Sequence, residues 1–150
     1  MTAIRDLLSY RLHVVANLLS RGAELRYRRE FGVSLWEWRT IALLGAVSGP
    51  LGFNHLAHAA GVHKSQMSRV VSGLVRRRLV ARTADPGDAR GVHLTLSKSG
   101  RKLYEGLIAA AAERDAAFRK CLTKNETQAF DHALSKLASQ AREFIAQEKK

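Results

Sequence analysis

The sequence has a single cysteine and no long apolar run. One cysteine, Cys121, excludes an intrachain disulfide framework, and a reducing, cytoplasmic setting is the simplest fit. No stretch is long and apolar enough to span a bilayer. The N-terminal segment has Asp6 and Arg11 within its apolar pattern, so it lacks the continuous core of a signal peptide. We therefore expect a cytoplasmic protein that does not act at a membrane.

The motifs of common enzyme classes are also missing. There is no glycine-rich phosphate loop, no HExxH helix and no nucleophile elbow. Histidines and carboxylates are present but form no recognisable constellation. We predict that the protein is not an enzyme and that it carries no cofactor.

Acidic residues are scarce relative to basic ones. The chain has 13 Asp and Glu against 25 Lys and Arg, which gives a formal net charge of +12, and its pI is about 10.7. So large a basic excess favours a polyanionic partner, and nucleic acid is the first candidate. The length of 150 residues and the apolar fraction of 46% suit one globular domain with its own core.

The stretch from Asn54 to Leu79 predicts two short helices joined by a tight turn. Asn54 is expected to cap the first helix with its side chain, and Gly61 to end it in the left-handed conformation. Ala57, four residues before Gly61, leaves room for a crossing helix. Met67, six residues after Gly61, is the first core-facing side chain of the second helix. This spacing is typical of the helix-turn-helix, which places its second helix in the DNA major groove.

The second helix, expected over residues 65–78, has two chemically different faces. The face expected to meet the core carries apolar side chains at helical spacing, namely Met67, Val70, Val71 and Leu74. The other face and the preceding turn are predicted to contact DNA through Ser65, Gln66, Ser68, Arg69, Ser72, Arg76, Arg77, His63 and Lys64. Gln and Arg pair with base edges, whereas the arginines at 76–78 suit phosphate. His63 either lies near phosphate or caps the helix. The alternative for the second helix as a whole is an ordinary amphipathic surface helix that does not contact DNA.

The residues before this stretch predict two more helices. Apolar residues at spacings of three and four predict one long helix over Ile4–Arg29, with more apolar surface than a small core needs. Ser34 and Glu37 form a capping box that opens the second helix. Pro50 lies beyond its end, where a helix cannot continue.

The residues after this stretch predict a β-hairpin and two final helices. Alternating segments at Leu79–Thr83 and Val92–Leu96 flank a run dense in turn formers, which predicts a hairpin, or wing. Ser97 is expected to cap a long helix, and Thr123 with Glu126 forms a second capping box that opens the last helix. The predicted fold is therefore mainly α with a small β-wing.

This order of elements, with these boundaries, resembles the MarR (multiple antibiotic resistance regulator) family of winged-helix transcription regulators. The residues that carry the resemblance are Leu56-Ala57, Gly61-Val62, the segment from Lys64-Ser65 to Leu79-Val80, the wing from Asp85 to Arg90, and Leu94-Thr95-Leu96-Ser97 with Gly100. The resemblance covers nearly the whole chain. It implies one domain, 1–150, with a DNA-binding lobe at about 34–97 and dimerisation helices at 1–30 and 98–150.

The resemblance also implies a homodimer joined by its first and last helices, here Ile4–Arg29 and Glu126–Gln147. Two recognition helices would then meet two half-sites of a pseudo-palindromic operator. Family members commonly repress a nearby gene set and release DNA when a small aromatic or phenolic acid binds between the dimerisation and DNA-binding parts. For this effector site we predict His13, Trp36, Trp38 and Arg39, with Arg39 pairing with the carboxylate. The alternative for each tryptophan is core or interface packing.

The wing departs from the family's pattern at one position. The family reads Asp-x-Arg-Asp-x-Arg, and here Asp85, Asp88 and Arg90 match, but Gly87 replaces the first arginine. In the family that arginine is expected to enter the minor groove. Arg90 or Arg82 is the candidate to take its place, or the wing contacts only the DNA backbone. The alternative for Arg90 is an internal ion pair with Asp85 or Asp88.

Sensing by metal or by thiol chemistry is an alternative within the same family. His55, His58 and His63 lie close in sequence, but no cysteine or carboxylate partner stands at a readable spacing, so no metal site is predicted. Cys121 follows two cationic residues, which suits a reactive thiolate, yet a packed cysteine is the favoured interpretation. Two further classes are a weakly specific architectural DNA-binding protein and a winged-helix module that binds only proteins.

Overall fold

A computed structural model of the chain describes residues 3–85 and 87–149, which form six α-helices and a three-stranded sheet. The helices are α1 (Leu8–Phe31), α2 (Leu35–Gly45), α3 (Phe53–Ala60), α4 (Lys64–Arg76), α5 (Lys98–Arg119) and α6 (Lys124–Glu148). The strands are β1 (Leu51–Gly52), β2 (Val80–Asp85) and β3 (Asp88–Leu96). This order confirms the predicted succession of two helices, a helix-turn-helix, a hairpin and two helices.

The first helix is shorter at its start than predicted. Ile4–Asp6 form a 3₁₀ turn, and Leu7 is extended, with φ −70° and ψ 133°. The Asp6 carboxylate accepts a hydrogen bond of 3.2 Å from the Ala3 backbone N–H, which closes a local turn that competes with helix formation. The helix then runs to Phe31, and Gly32 ends it with φ +66°. The prediction of one continuous helix from Ile4 was therefore wrong at its first turn.

The second helix contacts more elements than its length suggests. Its capping box is confirmed, because the Glu37 N–H donates to Ser34 Oγ at 3.1 Å and the Ser34 N–H donates to the Glu37 carboxylate at 2.8 Å. It contacts α1, α3, α4 and β3. Its buried side chains are Thr40, Ile41 and Leu44. Helix α2 is thus the central element of the helical layer.

The unit that extends to Ala110 has one apolar core. Helices α1 to α5 and the sheet all contribute to it, and its fully buried large side chains are Val33, Ile41, Leu56, Met67, Val71, Leu74, Leu94 and Leu107. Each such side chain stabilises the fold by roughly 1.5–3 kcal/mol. The core-facing side of α4 belongs to this set, as predicted.

The wing is longer than predicted and has a third strand beside it. The strand order is β1-β3-β2, and both pairings are antiparallel. Leu51 pairs with Leu94, which places β1 on the outer edge of β3. Strand β3 begins at Asp88, within the predicted turn, and Pro86 of that turn lies outside the described residues. A two-residue strand has too little alternation to be recognised in a sequence, so β1 was missed.

The residues from Ala111 onward form a second compact unit. The predicted capping box at its helix start is confirmed, because Thr123 Oγ1 accepts from the Glu126 N–H and the Glu126 carboxylate accepts from the Thr123 N–H. Arg119 donates to Asp115 at 2.7 Å and to Asp131 at 3.1 Å. These two hydrogen bonds, that of Asp115 first, raise the pKa of Arg119 above its usual value.

Gly100 is required by a close approach of two backbones. It is buried at the start of α5, where a Cβ atom would collide with the carbonyl oxygen of Leu79. That carbonyl also accepts a 3.0 Å hydrogen bond from the Ser97 N–H, so the backbone there cannot move without losing it. The glycine therefore allows α5 to begin directly against the end of the helix-turn-helix.

Replacing Gly100 with alanine is expected to destabilise the protein by about 1–3 kcal/mol, because the added methyl group overpacks a backbone contact. Gly49→Ala is the matched control, since a Cβ there meets nothing within 4 Å and alanine restricts the unfolded chain. Chemical denaturation measures both. Equal denaturation midpoints for the two variants would contradict the close approach.

Candidate nucleic-acid interface

The helix-turn-helix is formed by α3 and α4. Gly61 ends α3 in the left-handed backbone conformation, with φ +68°, and the Val62 N–H donates to the Ala57 carbonyl at 3.2 Å. Both features are expected where a glycine ends an α-helix. The predicted cap by Asn54 was wrong. The chain enters α3 directly from strand β1, so the N-cap residue is Gly52. Glycine has no side chain that could accept a capping hydrogen bond. Asn54 lies exposed inside the first turn.

The two predicted faces of α4 are confirmed by burial. Met67, Val71 and Leu74 are buried, and Val70 is half-buried. The side chains that point the other way are exposed, namely Ser65, Ser68, Arg69, Ser72 and Arg76, with Gln66 half-buried. Packing therefore leaves a polar, cationic face in solvent, and this face has the donors and acceptors that base edges require.

The recognition helix begins and ends earlier than predicted. It begins at Lys64, and His63 is the N-cap residue, but the His63 side chain makes no capping hydrogen bond, so that part of its prediction was wrong. It ends at Arg76, and Arg78 takes a left-handed backbone with φ +58°. A non-glycine residue there costs about 1 kcal/mol or more. The Arg78 carbonyl is held by two hydroxyls, Ser97 Oγ at 2.7 Å and Ser99 Oγ at 3.0 Å.

Arg77, the first residue after α4, has a partner inside the protein. Its Nη1 lies 3.3 Å from Oε1 and 3.4 Å from Oε2 of Glu37. Glu37 is the residue whose carboxylate also caps the start of α2. The chain therefore joins the end of α4 to the start of α2 through one carboxylate, a contact between positions 40 residues apart that sequence analysis did not identify.

The wing contacts the recognition helix through Arg82. Its Nη2 donates to Ser72 Oγ at 2.9 Å. Between the wing, β1 and the two helices lies a cleft of about 490 Å³, whose polar lining includes Asn54, His55, Ser68, Arg82, Asp88 and Arg90. The structure thus brings Arg82 and Arg90 of the wing and Ser68 of α4 to one concave surface.

The carboxylates of the wing fix its backbone rather than its arginine. The Gly87 N–H donates to Asp85 Oδ1 at 2.8 Å, and the Arg90 N–H donates to Asp88 Oδ1 at 2.9 Å. Asp85 Oδ2 lies 3.7 Å from His93 Nε2. In the described part of the chain the exposed Arg90 guanidinium pairs with neither aspartate, so the internal ion pair predicted as its alternative is not formed.

The residues predicted for an effector site are only partly brought together. Arg39 lies with its guanidinium carbon 4.9 Å from the ring centroid of Trp36, and its Nη2 donates to Ser20 Oγ of α1 at 3.2 Å. Trp38 packs instead against Tyr27, with ring centroids 5.3 Å apart. His13 is exposed and bonds with Asn17. The structure therefore groups Arg39 and Trp36 with Ser20, a residue that sequence analysis did not identify.

Three further expectations concern metal binding, membrane crossing and the environment of Cys121. Over residues 3–85 and 87–149, no three or more His, Cys, Asp or Glu side chains group closely enough to hold a metal ion. Within the same residues, none of the helices has the length and hydropathy that crossing a membrane would need. Cys121 is exposed, so the expectation of a packed cysteine was wrong.

The chain is similar to known regulators in sequence. The model of the MarR family matches residues 31–91. The HTH-type transcriptional regulator FarR of Neisseria gonorrhoeae is 32% identical over 102 residues, which cover 68% of this chain and 69% of that protein. The homoprotocatechuate degradative operon repressor of Escherichia coli is 26% identical over 136 residues, covering 88% of this chain and 86% of that protein.

Solved structures show the same fold. The DNA complex of MepR from Staphylococcus aureus matches with a TM-score of 0.82 and 23% identity, over 89% of this chain and 98% of that one. NadR in complex with 4-hydroxyphenylacetate matches with a TM-score of 0.76 and 25% identity, over 92% of this chain and 96% of that one. The winged helix-turn-helix predicted from the sequence is confirmed.

Proposed function

This chain belongs to the MarR family of transcriptional regulators, and on that premise we propose that it is a homodimeric, sequence-specific repressor that a small aromatic acid releases from its operator. It is a regulator and not an enzyme. The observation that carries the proposal is the division of α4, whose apolar face is buried while its serines and Arg69 are exposed and Gln66 is half-buried.

The DNA contacts that we propose fall into two chemical classes. Side chains of the first two turns of α4 and Ser72 suit base edges, because Gln and Arg make bidentate pairs and Ser bonds to several bases. These are Ser65, Gln66, Ser68, Arg69 and Ser72. The cations and the imidazole at the two ends of α4 suit phosphate, which sets the register on the duplex. These are His63, Lys64 and Arg76.

The wing contributes Arg90 and Arg82 in this proposal, but in different ways. Gly87 offers no side chain at the position where the family has its arginine. Arg90 is exposed and its guanidinium is not taken up by Asp85 or Asp88 within the described residues, so it is the side chain that would reach the minor groove or the backbone. Arg82 donates to Ser72, so it would act close to α4, on the cleft side.

Two exposed apolar faces support a homodimer. Helix α1 exposes large apolar side chains, namely Leu8, Val14, Val15, Leu18, Leu19 and Leu25, and α6 exposes Phe130, Leu134, Leu137, Phe144 and Ile145. Monomeric proteins seldom leave apolar helix faces of this size in water. A second copy of the chain is the proposed cover, and a dimer would present two recognition helices to a pseudo-palindromic operator.

An aromatic acid is the proposed effector, and the Arg39 guanidinium with the Trp36 ring is its proposed site. The fork of an arginine suits a carboxylate, and the indole offers a face for an aromatic ring. NadR, a structural relative, was crystallised with 4-hydroxyphenylacetate, which has both groups. To release DNA, the ligand must prefer the DNA-incompetent arrangement; a loss of about tenfold in affinity needs a preference of only about 1.4 kcal/mol.

Arg69→Ala is expected to weaken binding to the operator by about 1–3 kcal/mol and to relax selectivity at one base position, because a bidentate base contact is lost. The operator is first selected from random-sequence duplexes, and affinities are measured by fluorescence anisotropy. Lys120→Ala, which removes one charge outside the helix-turn-helix and wing, is the control. A specific regulator should prefer its site over random duplex by roughly a thousandfold or more, so a wild-type protein without preference would instead be an architectural DNA binder.

Leu18→Glu is expected to shift the protein from dimer to monomer, because a buried, unpaired carboxylate at an interface is costly. Leu18 is 67% exposed in the single chain. Sedimentation equilibrium at micromolar concentration measures the shift. Val47→Glu, an equally drastic change of an exposed residue between α2 and β1, should remain dimeric, and a dimeric Leu18→Glu protein would refute the assignment of α1 to the interface.

Arg39→Gln is expected to bind the operator as tightly as the wild type does. 4-Hydroxyphenylacetate should lower the operator affinity of the wild type by about tenfold and leave that of the variant unchanged. The ligand control is 4-hydroxyphenylacetamide, which keeps the phenol and lacks the charge, and it should release neither protein. The readout is operator anisotropy over a ligand titration. If the variant responds as the wild type does, the carboxylate is bound elsewhere.

A further inference from the structure

The Glu37–Arg77 pair, the ion pair between the starting turn of α2 and the residue after α4, is built into both helix ends. Glu37 Oε2 accepts from the Ser34 N–H at 2.8 Å, and both carboxylate oxygens lie within 3.4 Å of Arg77 Nη1. The Glu37 side chain is 20% exposed and that of Arg77 is 42% exposed. The carboxylate is therefore neither free nor fully solvated.

Two glycines lie beside this pair, one on each side. A Cβ atom added at Gly73 of α4 would lie 3.9 Å from Glu37 Oε1, and one added at Gly32 would lie 3.9 Å from Arg77 Nη2. Both positions are therefore in van der Waals range of the pair. The end of α1, the start of α2 and the last turn of α4 thus meet at these two side chains.

A phosphate contact that turned the Arg77 guanidinium away from Glu37 would come at the expense of this pair. If the guanidinium turned to a phosphate, the Glu37 carboxylate would be left partly buried with a negative charge and fewer donors, which is unfavourable. Arg76, its neighbour, is exposed and forms no ion pair in the described chain. Arg76 can therefore meet phosphate at no such cost.

From this geometry we propose that Arg77 is a positioning residue and not a DNA contact, and that the Glu37–Arg77 pair sets the direction in which α4 points relative to α2. The proposal rests on the proposed function, because it assigns a role within the same recognition helix. Base contacts depend on the angle of α4 in the groove, whereas non-specific binding depends on charge. The pair therefore determines affinity for the operator and leaves affinity for random duplex unaltered.

The test uses Glu37→Gln, Arg77→Ala and the double variant in the full-length protein. Glutamine at this position retains the capping box, since its oxygen also accepts from the Ser34 N–H, so only the charge of the pair is lost. Operator and random-duplex affinities are measured over a range of salt concentrations. Chemical denaturation in parallel gives the folded fraction, so that unfolding is not counted as lost affinity.

Each single variant is expected to lose about threefold to tenfold in operator affinity, the range of a partly exposed ion pair. The double variant should lose no more than either single one, because both remove the same interaction. The slope of log affinity against log salt should stay at the wild-type value in all three. A loss for Glu37→Gln is diagnostic, since removing a negative charge near DNA would otherwise strengthen binding.

Arg76→Ala is the matched control, because it removes the same charge one residue away. It should weaken operator and random duplex alike and reduce the salt slope by about 1. The proposal is overturned if Arg77→Ala behaves in this way, or if Glu37→Gln binds the operator as tightly as the wild type or more tightly. If instead the wild type has no preferred site, or Arg69→Ala keeps full selectivity, the proposed function itself has failed.

Discussion

The packing of α4 on α2 is the contact on which the winged helix-turn-helix depends. Met67 and Leu74 are buried on one side, and Thr40 is fully buried on the other, with its hydroxyl donating to the Trp36 carbonyl at 2.8 Å and lying 3.8 Å from Met67 Sδ. A helix whose apolar residues form a single stripe buries that stripe and leaves its polar face to solvent. The exposure of Arg69 and the serines is thus a consequence of apolar packing.

Helix α2 holds this arrangement because polar contacts fasten it along its length. Its first turn bonds to Arg77 through Glu37, and its last carbonyl, that of Gly45, accepts from Arg101 at 2.9 Å. Between them, Arg39 bonds to Ser20 of α1. Glu37 and Arg39 are two residues apart, or roughly 200° around a helix. One side of α2 therefore faces α4 while the other faces α1.

The few carboxylates near the helix-turn-helix and the wing serve as acceptors for backbone N–H groups. Glu37, Asp85 and Asp88 each accept from a backbone N–H, which shapes a helix start or the wing. Over the described residues, Arg69, Arg76 and Arg90 take part in no ion pair. Apart from the contacts of Glu37 with Arg77 and of Asp85 with His93, these carboxylates organise the backbone and leave the three arginines out of ion pairs within the described residues. The local positive charge is therefore largely retained.

Much of the fold could be read from the sequence because its signals are local. The capping boxes at Ser34 and Thr123, the left-handed turn at Gly61 and the two faces of α4 each depend on residues within a few positions of one another. Hydrogen bonding and helical periodicity over such distances depend little on the rest of the chain. The order of elements and the family resemblance follow from these signals.

The details of the site were decided by tertiary structure. Arg77 meets Glu37 across 40 positions, Arg82 meets Ser72 across 10, and Arg39 meets Ser20 across 19. Which of several arginines finds a carboxylate, a hydroxyl or solvent depends on how packed elements orient their side chains, and a run such as Arg76, Arg77 and Arg78 carries no record of that. The sequence by itself determined that α4 has one apolar face and one polar, cationic face. Only packing decided which of its cations remain exposed and outside ion pairs. The reason is that ion pairs and close backbone contacts form between elements that meet only in the folded chain.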